Sequence, residues 1–114
     1  MLLKGVPTVV ASPGVPPLVS AAGNPGLATG GTGDVLSGMA ASWLARGAPP
    51  QIAGAAAAHV HGRAAEDLGR HRSVRTLRPD DLLSVLGPLW RELAERPAEV
   101  DPPFLARLEP PAVL

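Results

Sequence analysis

Four glycines fall within the eight residues from Gly26 to Gly33, and Asp34 follows them directly, at the start of an apolar helical stripe. No other stretch constrains the chain as strongly. Backbone without side chains exposes its N–H groups, and a helix behind it adds the partial positive charge of its first turn. The two together make a ready anion site. A strand or turn must feed this loop and a helix must leave it, so the chain reads as mixed α and β structure.

The flanking sequence fits that reading. Leu2 and Leu3, ahead of Lys4, suit the end of a buried strand, and Thr8–Ser12 ("TVVAS") is β-branched and reads as a second one. Pro13–Pro17 ("PGVPP") is turn chemistry, and Leu18–Ala22 ("LVSAA") would return as the partner strand. From Asp34 onward, Val35, Leu36, Met39, Ala40, Trp43 and Leu44 recur at helical spacing; Gly47 suits a C-terminal cap and Pro49–Pro50 stops continuation. A second helix is expected from Pro50 to Leu68, with a stripe of Ile52, Ala55, Ala56, His59 and Val60 small enough for close packing. Gly69–Arg78 reads as a solvated polar connection. A third helix opens at Pro79 with Asp80 and Asp81 in its first turn, and Pro88 inside it should kink or weaken it. Its apolar face is Leu82, Leu83, Leu86, Leu89, Trp90 and Leu93.

Residues 97–114 hold five prolines and are expected to form an irregular tail to a unit spanning residues 1–96. Three helices need a broad apolar surface to cover, and the first 22 residues supply only two or three short strands. The pattern is that of the C-terminal part of a larger α/β domain.

Composition removes several classes of function. The chain of 114 residues has room for one small domain. Its formal net charge is zero, so no basic field is present to hold nucleic acid or an anionic membrane. It has no cysteine, which rules out disulfides and thiolate metal sites and fits a cytoplasmic setting. No apolar run reaches the ~20 residues of a membrane span.

A carboxylate beside a bound phosphate repels it, whereas a carboxylate that takes a proton from an attacking hydroxyl belongs there. The loop therefore reads as a phosphoryl-transfer site. Gly31, Thr32 and Gly33 would stabilise charge on the transferred group, and Asp34 would be the base. A second reading stands beside it, since Asp is also a good helix cap and glycine-rich loops are common turns. No "GK[ST]" follows the loop, and Leu36 stands where a dinucleotide fingerprint needs its third glycine. His59 reads as a packed helix residue, and His61 as a packing residue near the loop with no catalytic part.

The stretch "NPGLATGGTGDVL" resembles the signature of the NAD(P)H-hydrate dehydratase family, within the ribokinase-like superfamily. "KGVPT" is similar to the family's KGxxT element, "HGRAAEDL" to its HGxAG helix and "PDDLLSVL" to its closing helix. The resemblance implies the C-terminal part of a ribokinase-like three-layer domain, with short strands or a hairpin followed by three helices. It implies ADP- or ATP-dependent dehydration of the S epimer of hydrated NADH or NADPH: the added hydroxyl is phosphorylated and phosphate then leaves. Carried over, Asp34 is the base beside the hydrated nicotinamide, and Gly33 touches the nucleotide. Lys4, Gly5, Val6, Pro7 and Thr8 form the nucleotide segment, with Mg²⁺ accompanying the nucleotide. Pro7 removes a donor from KGxxT, and Ala65 stands where the family has glycine. The family's domain is more than twice this length, so these residues alone are expected to show weak or no activity. Two alternatives remain: another ribokinase-like small-molecule kinase, or a non-catalytic fragment that needs the missing N-terminal half or a second copy of itself.

Overall fold

The computed structural model describes residues 1–95 and 105–107. A sheet of four antiparallel strands runs in chain order: β1 (Leu2–Leu3), β2 (Thr8–Ser12), β3 (Val15–Ser20) and β4 (Leu105–Arg107). Three helices complete the unit: α1 (Thr32–Ala45), α2 (Pro50–His71) and α3 (Pro79–Glu95). Among the described residues no helix is long and apolar enough to cross a membrane.

The β2–β3 hairpin turns on Pro13–Gly14 alone, with Ser12 opposite Val15. The strand therefore starts three residues earlier than "LVSAA" suggests and ends at Ser20. Pro16 and Pro17 lie within it beside an irregularity in the β2–β3 ladder, where the register shifts between Val10 and Ser12, while the described residues of β4 pair with Leu18, Val19 and Ser20. Gln51 on α2 donates to the carbonyls of Val10 (3.3 Å) and Pro16 (2.8 Å) and ties the hairpin to the helix. Of the segment expected to be irregular, Leu105–Arg107 forms β4; residues 97–104 and 108–114 lie outside the described residues.

α2 is the central element. It packs against β2 and β3 on one side and against α1 and α3 on the other. A stripe was not enough for this position, and the helix is buried nearly all round, through Ala53, Ala55, Ala57, Ala58, Val60, Ala64, Ala65 and Leu68. Ile52, expected on the stripe, is 52% exposed because it lies in the first turn, outside the contact with its neighbours. The alanines let three elements approach one axis. Leu36, Ala57 and Ala58 form one apolar cluster with Leu2, Met39 and Ala40 against it. Val60, Ala64, Ala65, Leu68, Leu77, Leu82 and Leu89 form another, flanked by Trp43. Trp43 meets Trp90 edge to face with ring centroids 5.2 Å apart, joining α1 to α3.

The helix ends follow their sequence signals. α1 stops at Gly47, whose N–H reaches Leu44 O (2.9 Å) while Ala48 N–H reaches Trp43 O (3.1 Å), a Schellman closure. α3 opens with the Asp81 carboxylate accepting from Arg78 N–H (2.8 Å) and from the Arg72 guanidinium (2.9 Å). The Arg78 amide bond, and after it the Arg72 charge, hold the Asp81 carboxyl below its ordinary value. α3 runs through Pro88 as one continuous helix.

Candidate functional site

The glycine loop is shaped by Asn24. Its Oδ1 accepts from Gly26 N–H (3.0 Å), capping a short 3₁₀ turn over Pro25–Ala28, and its Nδ2 donates to Ala65 O (2.5 Å) on α2. Glu66 takes Gly23 N–H (2.9 Å). The loop is thus tied down at its entry. At its exit Gly31 is the N-cap of α1 with φ +90°, and a Cβ there would lie 2.9 Å from Pro79 Cγ. Only glycine satisfies both demands.

Gly31 as cap places Thr32, Gly33 and Asp34 in the first three positions of the helix. No side chain caps α1, so Asp34 is not the cap that its residue type also allowed. Asp34 N–H bonds to Gly31 O (3.1 Å), and its carboxylate is exposed.

The KGVPT turn, the end of β3 and the glycine loop surround a cleft of about 610 Å³. Lys4, Gly5, Val6, Pro7 and Thr8 line it, and Gly31, Thr32 and Gly33 line it too. Asp34 does not; it follows Gly33 one position along α1. Residues 25 positions apart in sequence therefore share one cavity. Lys4, the chain's only lysine, is the single formally charged side chain on the described wall.

Several of these groups are already engaged within the protein. Lys4 Nζ donates to Leu27 O (3.0 Å) and to Thr32 Oγ1 (2.9 Å), which leaves one of its three donors for a ligand. Thr8 Oγ1 donates to Gly5 O (3.2 Å) and closes the KGVPT turn. Thr32 is fully buried; its hydroxyl lies 2.7 Å from Leu27 O and 2.9 Å from Thr29 O, and its N–H reaches Thr29 O (3.3 Å). Thr32 thus serves the loop rather than the cavity. Gly30, Gly31 and Gly33 have no acceptor for their N–H groups among the described residues. A Cβ on Gly30 or Gly33 would meet nothing within 4 Å, so the space beside these amides is open. The expected trio of donors at Gly31, Thr32 and Gly33 becomes Gly31 and Gly33, with Gly30 beside them.

Sequence reasoning left out Ser20, Leu36 and Ala58 from the wall and expected His61 near the loop only as a packing residue. Ser20 is buried, with no partner for its hydroxyl among the described residues. His61 is 2% exposed, and its Nε2 lies 2.8 Å from Thr32 O. A carbonyl only accepts, so Nε2 carries the proton and donates. The "HG" pair was visible, but its aim toward the loop depends on how α2 lies.

Both buried imidazoles titrate below their ordinary 6.5. Burial is the largest cause in each. For His59 the Arg63 charge adds to the lowering and Glu66 opposes it; for His61 the Thr32 bond opposes and Lys4 adds. The folded chain then binds fewer protons than the unfolded one below about pH 6.5, so stability is complete above that value and falls as pH drops toward the folded values. The unfolding midpoint is expected to fall between pH 7.5 and 5.5, before carboxylates titrate. A flat profile across that window would show that the two rings titrate in the fold as in the coil.

The family model described as NAD(P)H-hydrate dehydratase matches residues 1–87. The chain belongs to that family. The bifunctional NAD(P)H-hydrate repair enzyme of Moorella thermoacetica is 41% identical over 95 residues, covering 83% of this chain and 18% of its own length. The ADP-dependent (S)-NAD(P)H-hydrate dehydratase of Neisseria meningitidis serogroup B is 50% identical over 66 residues, 58% of this chain and 22% of its own. The crystal structure of the ADP/ATP-dependent NAD(P)H-hydrate dehydratase of Bacillus subtilis, obtained with ATP and Mg²⁺, superposes with a TM-score of 0.74 at 37% identity, over 79% of this chain and 32% of that one. The chain thus spans between about a fifth and a third of the length of these relatives, and its fold is that of part of a ribokinase-like domain.

Proposed function

We propose that the chain carries the nucleotide-binding portion of an ADP- or ATP-dependent dehydratase acting on the S epimer of hydrated NADH and NADPH. The observation that carries this is the meeting of the KGVPT turn and the open glycine amides on one cleft, with Asp34 directly following the last of them. Such amides bind an anion and stabilise charge as it develops on a transferred phosphoryl group. Asp34 takes the proton of the substrate's added hydroxyl, whose oxygen attacks the terminal phosphoryl group of the nucleotide. The nucleotide leaves one phosphoryl group shorter; phosphate then departs as the ring C–O bond breaks, the adjacent ring carbon gives up its proton, and the nicotinamide ring regains its double bond.

Among the described residues no group of three or more His, Asp or Glu could hold a metal ion. Mg²⁺ in phosphoryl transfer is held mainly by phosphates and water, so it would enter with the nucleotide and needs no protein cage. Lys4 keeps one donor for the phosphates, and Val6, Pro7 and Leu36 offer apolar contact to the base or sugar.

The first test is a thermal unfolding scan of the chain with and without ADP or ATP and Mg²⁺. At ten times Kd a nucleotide adds ~1.4 kcal/mol to the folded state, and the midpoint should rise by about 5–10 °C. Any NADH regenerated from its hydrate in a coupled assay should depend on ADP or ATP. A cooperative transition indifferent to both nucleotides would overturn the reading. A stable phosphorylated product in place of NADH would favour a small-molecule kinase instead.

A further inference from the structure

We infer that His61 is a positioning residue that aims the Gly33 amide into the cleft by holding the Thr32 carbonyl. The inference rests on the proposed anion-binding role of the loop and adds a residue to it.

The argument begins with the peptide bond. Thr32 C=O and Gly33 N–H belong to one planar trans unit, so they point in opposite directions and turn together. His61 Nε2 lies 2.8 Å from Thr32 O and is buried behind it. Whatever fixes the carbonyl on the α2 side fixes the amide on the other. Gly33 lines the cleft, its N–H has no acceptor among the described residues, and nothing occupies the space where a Cβ would stand.

Thr32 opens α1, so the helix ladder already sets its carbonyl toward the Leu36 amide, but Gly31 and Gly33 carry no Cβ to stiffen this first turn. The Thr32 hydroxyl is fixed by Lys4 Nζ at 2.9 Å and by the carbonyls of Leu27 and Thr29. His61 supplies a second restraint on the carbonyl, from the central helix rather than from the loop. Gly62, next to it, lies against Ala22 and fixes the height of α2 relative to the loop entry.

The ring must be neutral with its proton on Nε2 or doubly protonated, since only those forms donate to a carbonyl. Burial favours the neutral form. The Nδ1–H tautomer would turn a lone pair toward Thr32 O and release the plane.

The chain is small enough for nuclear magnetic resonance on ¹⁵N-labelled protein. Two measurements are decisive. The first, on the unsubstituted chain, is the tautomer of His61 from long-range ¹⁵N–¹H couplings: protonated Nε2 is expected, and protonated Nδ1 alone overturns the inference. The second is titration with pyrophosphate and with ADP, following the Gly33 amide against that of Gly38, which is exposed on α1 and away from the cleft. In the unsubstituted chain Gly33 should shift and Gly38 should not.

In His61→Leu the Gly33 response should be lost and ADP affinity should fall by about 10- to 100-fold, the loss typical of one misplaced hydrogen bond to a charged group. His61→Gln keeps an N–H donor and should recover most of the affinity. An equal response of Gly33 in all three chains overturns the inference and leaves the functional reading intact. A Gly33 amide indifferent to both anions in the unsubstituted chain overturns the functional reading, and the inference with it. Should His61→Leu not fold, the tautomer measurement decides on its own.

Discussion

Under the proposed function, substituting Asp34 by Asn is expected to lower whatever NADH recovery from the hydrate the parent chain supports, by up to about 10²–10⁴-fold, while leaving nucleotide binding intact. The two effects separate because the residue stands after the anion loop and not within it. The open amides belong to Gly30, Gly31 and Gly33, and none depends on the Asp34 side chain. Asn preserves the size of the side chain and its place in the first turn of α1 but cannot accept a proton at neutral pH. Removing a negative charge beside the phosphates should even tighten ADP binding, by about two- to fivefold, as expected for an exposed charge near a helix N-terminus. The measurements are the coupled assay for turnover and the thermal shift with ADP for binding. Unchanged turnover in Asp34→Asn would remove the residue from the chemistry. Loss of binding together with turnover would mean that Asp34 shapes the loop instead.

Gly62→Ala is expected to destabilise the fold by about 2–3 kcal/mol, although alanine is the better helix former by about 1 kcal/mol. The Cβ would run into the backbone carbonyl of Ala22 and lie 2.7 Å from the Ala22 Cβ. A flexible side chain could turn aside from such a contact, but a backbone cannot. The helix cannot retreat either, because α2 packs against the sheet on one side and α1 and α3 on the other. The residue pushed away is Ala22, at the entry to the glycine loop and next to the Gly23–Glu66 bond. The unfolding midpoint should therefore drop by about 10–20 °C, and the nucleotide-dependent shift should shrink with it. Gly38→Ala is the control. It lies in α1 with nothing within 4 Å of the added methyl, and should raise stability by up to about 1 kcal/mol. A Gly62→Ala chain as stable as the parent would show that the loop entry can move away from α2 at little cost.

Much of the local structure was legible from short-range chemistry. Pro79 with Asp80 and Asp81 opens α3, Gly47 with Pro49 closes α1, and Thr8–Ser12 is a strand, because caps, turns and β-branched runs act over a few residues. The glycine loop running into a helix was legible for the same reason, and the long "NPGLATGGTGDVL" run carried the family. The start of β3 was misjudged because Pro16 and Pro17 look like turn residues. They are strand residues here, beside the shift in the β2–β3 register between Val10 and Ser12. The burial of α2 on nearly all sides was missed because alanine reads the same whether it faces one neighbour or three.

What the sequence determined by itself was the list of parts: a glycine loop, a carboxylate after it, a KGVPT turn, three helices and too little strand to cover them. Each depends on residues close together in the chain, where backbone preference and side-chain chemistry need no distant partner. Only the tertiary structure decided how the parts are shared out. It turned Thr32 and two of the three Lys4 donors inward, left the amides of Gly30, Gly31 and Gly33 open, and set His61 behind the Thr32 carbonyl across 29 positions of sequence. Those assignments follow from where α2 lies between the sheet and its two neighbouring helices, and that position comes from packing summed over the whole unit rather than from any one segment of the chain.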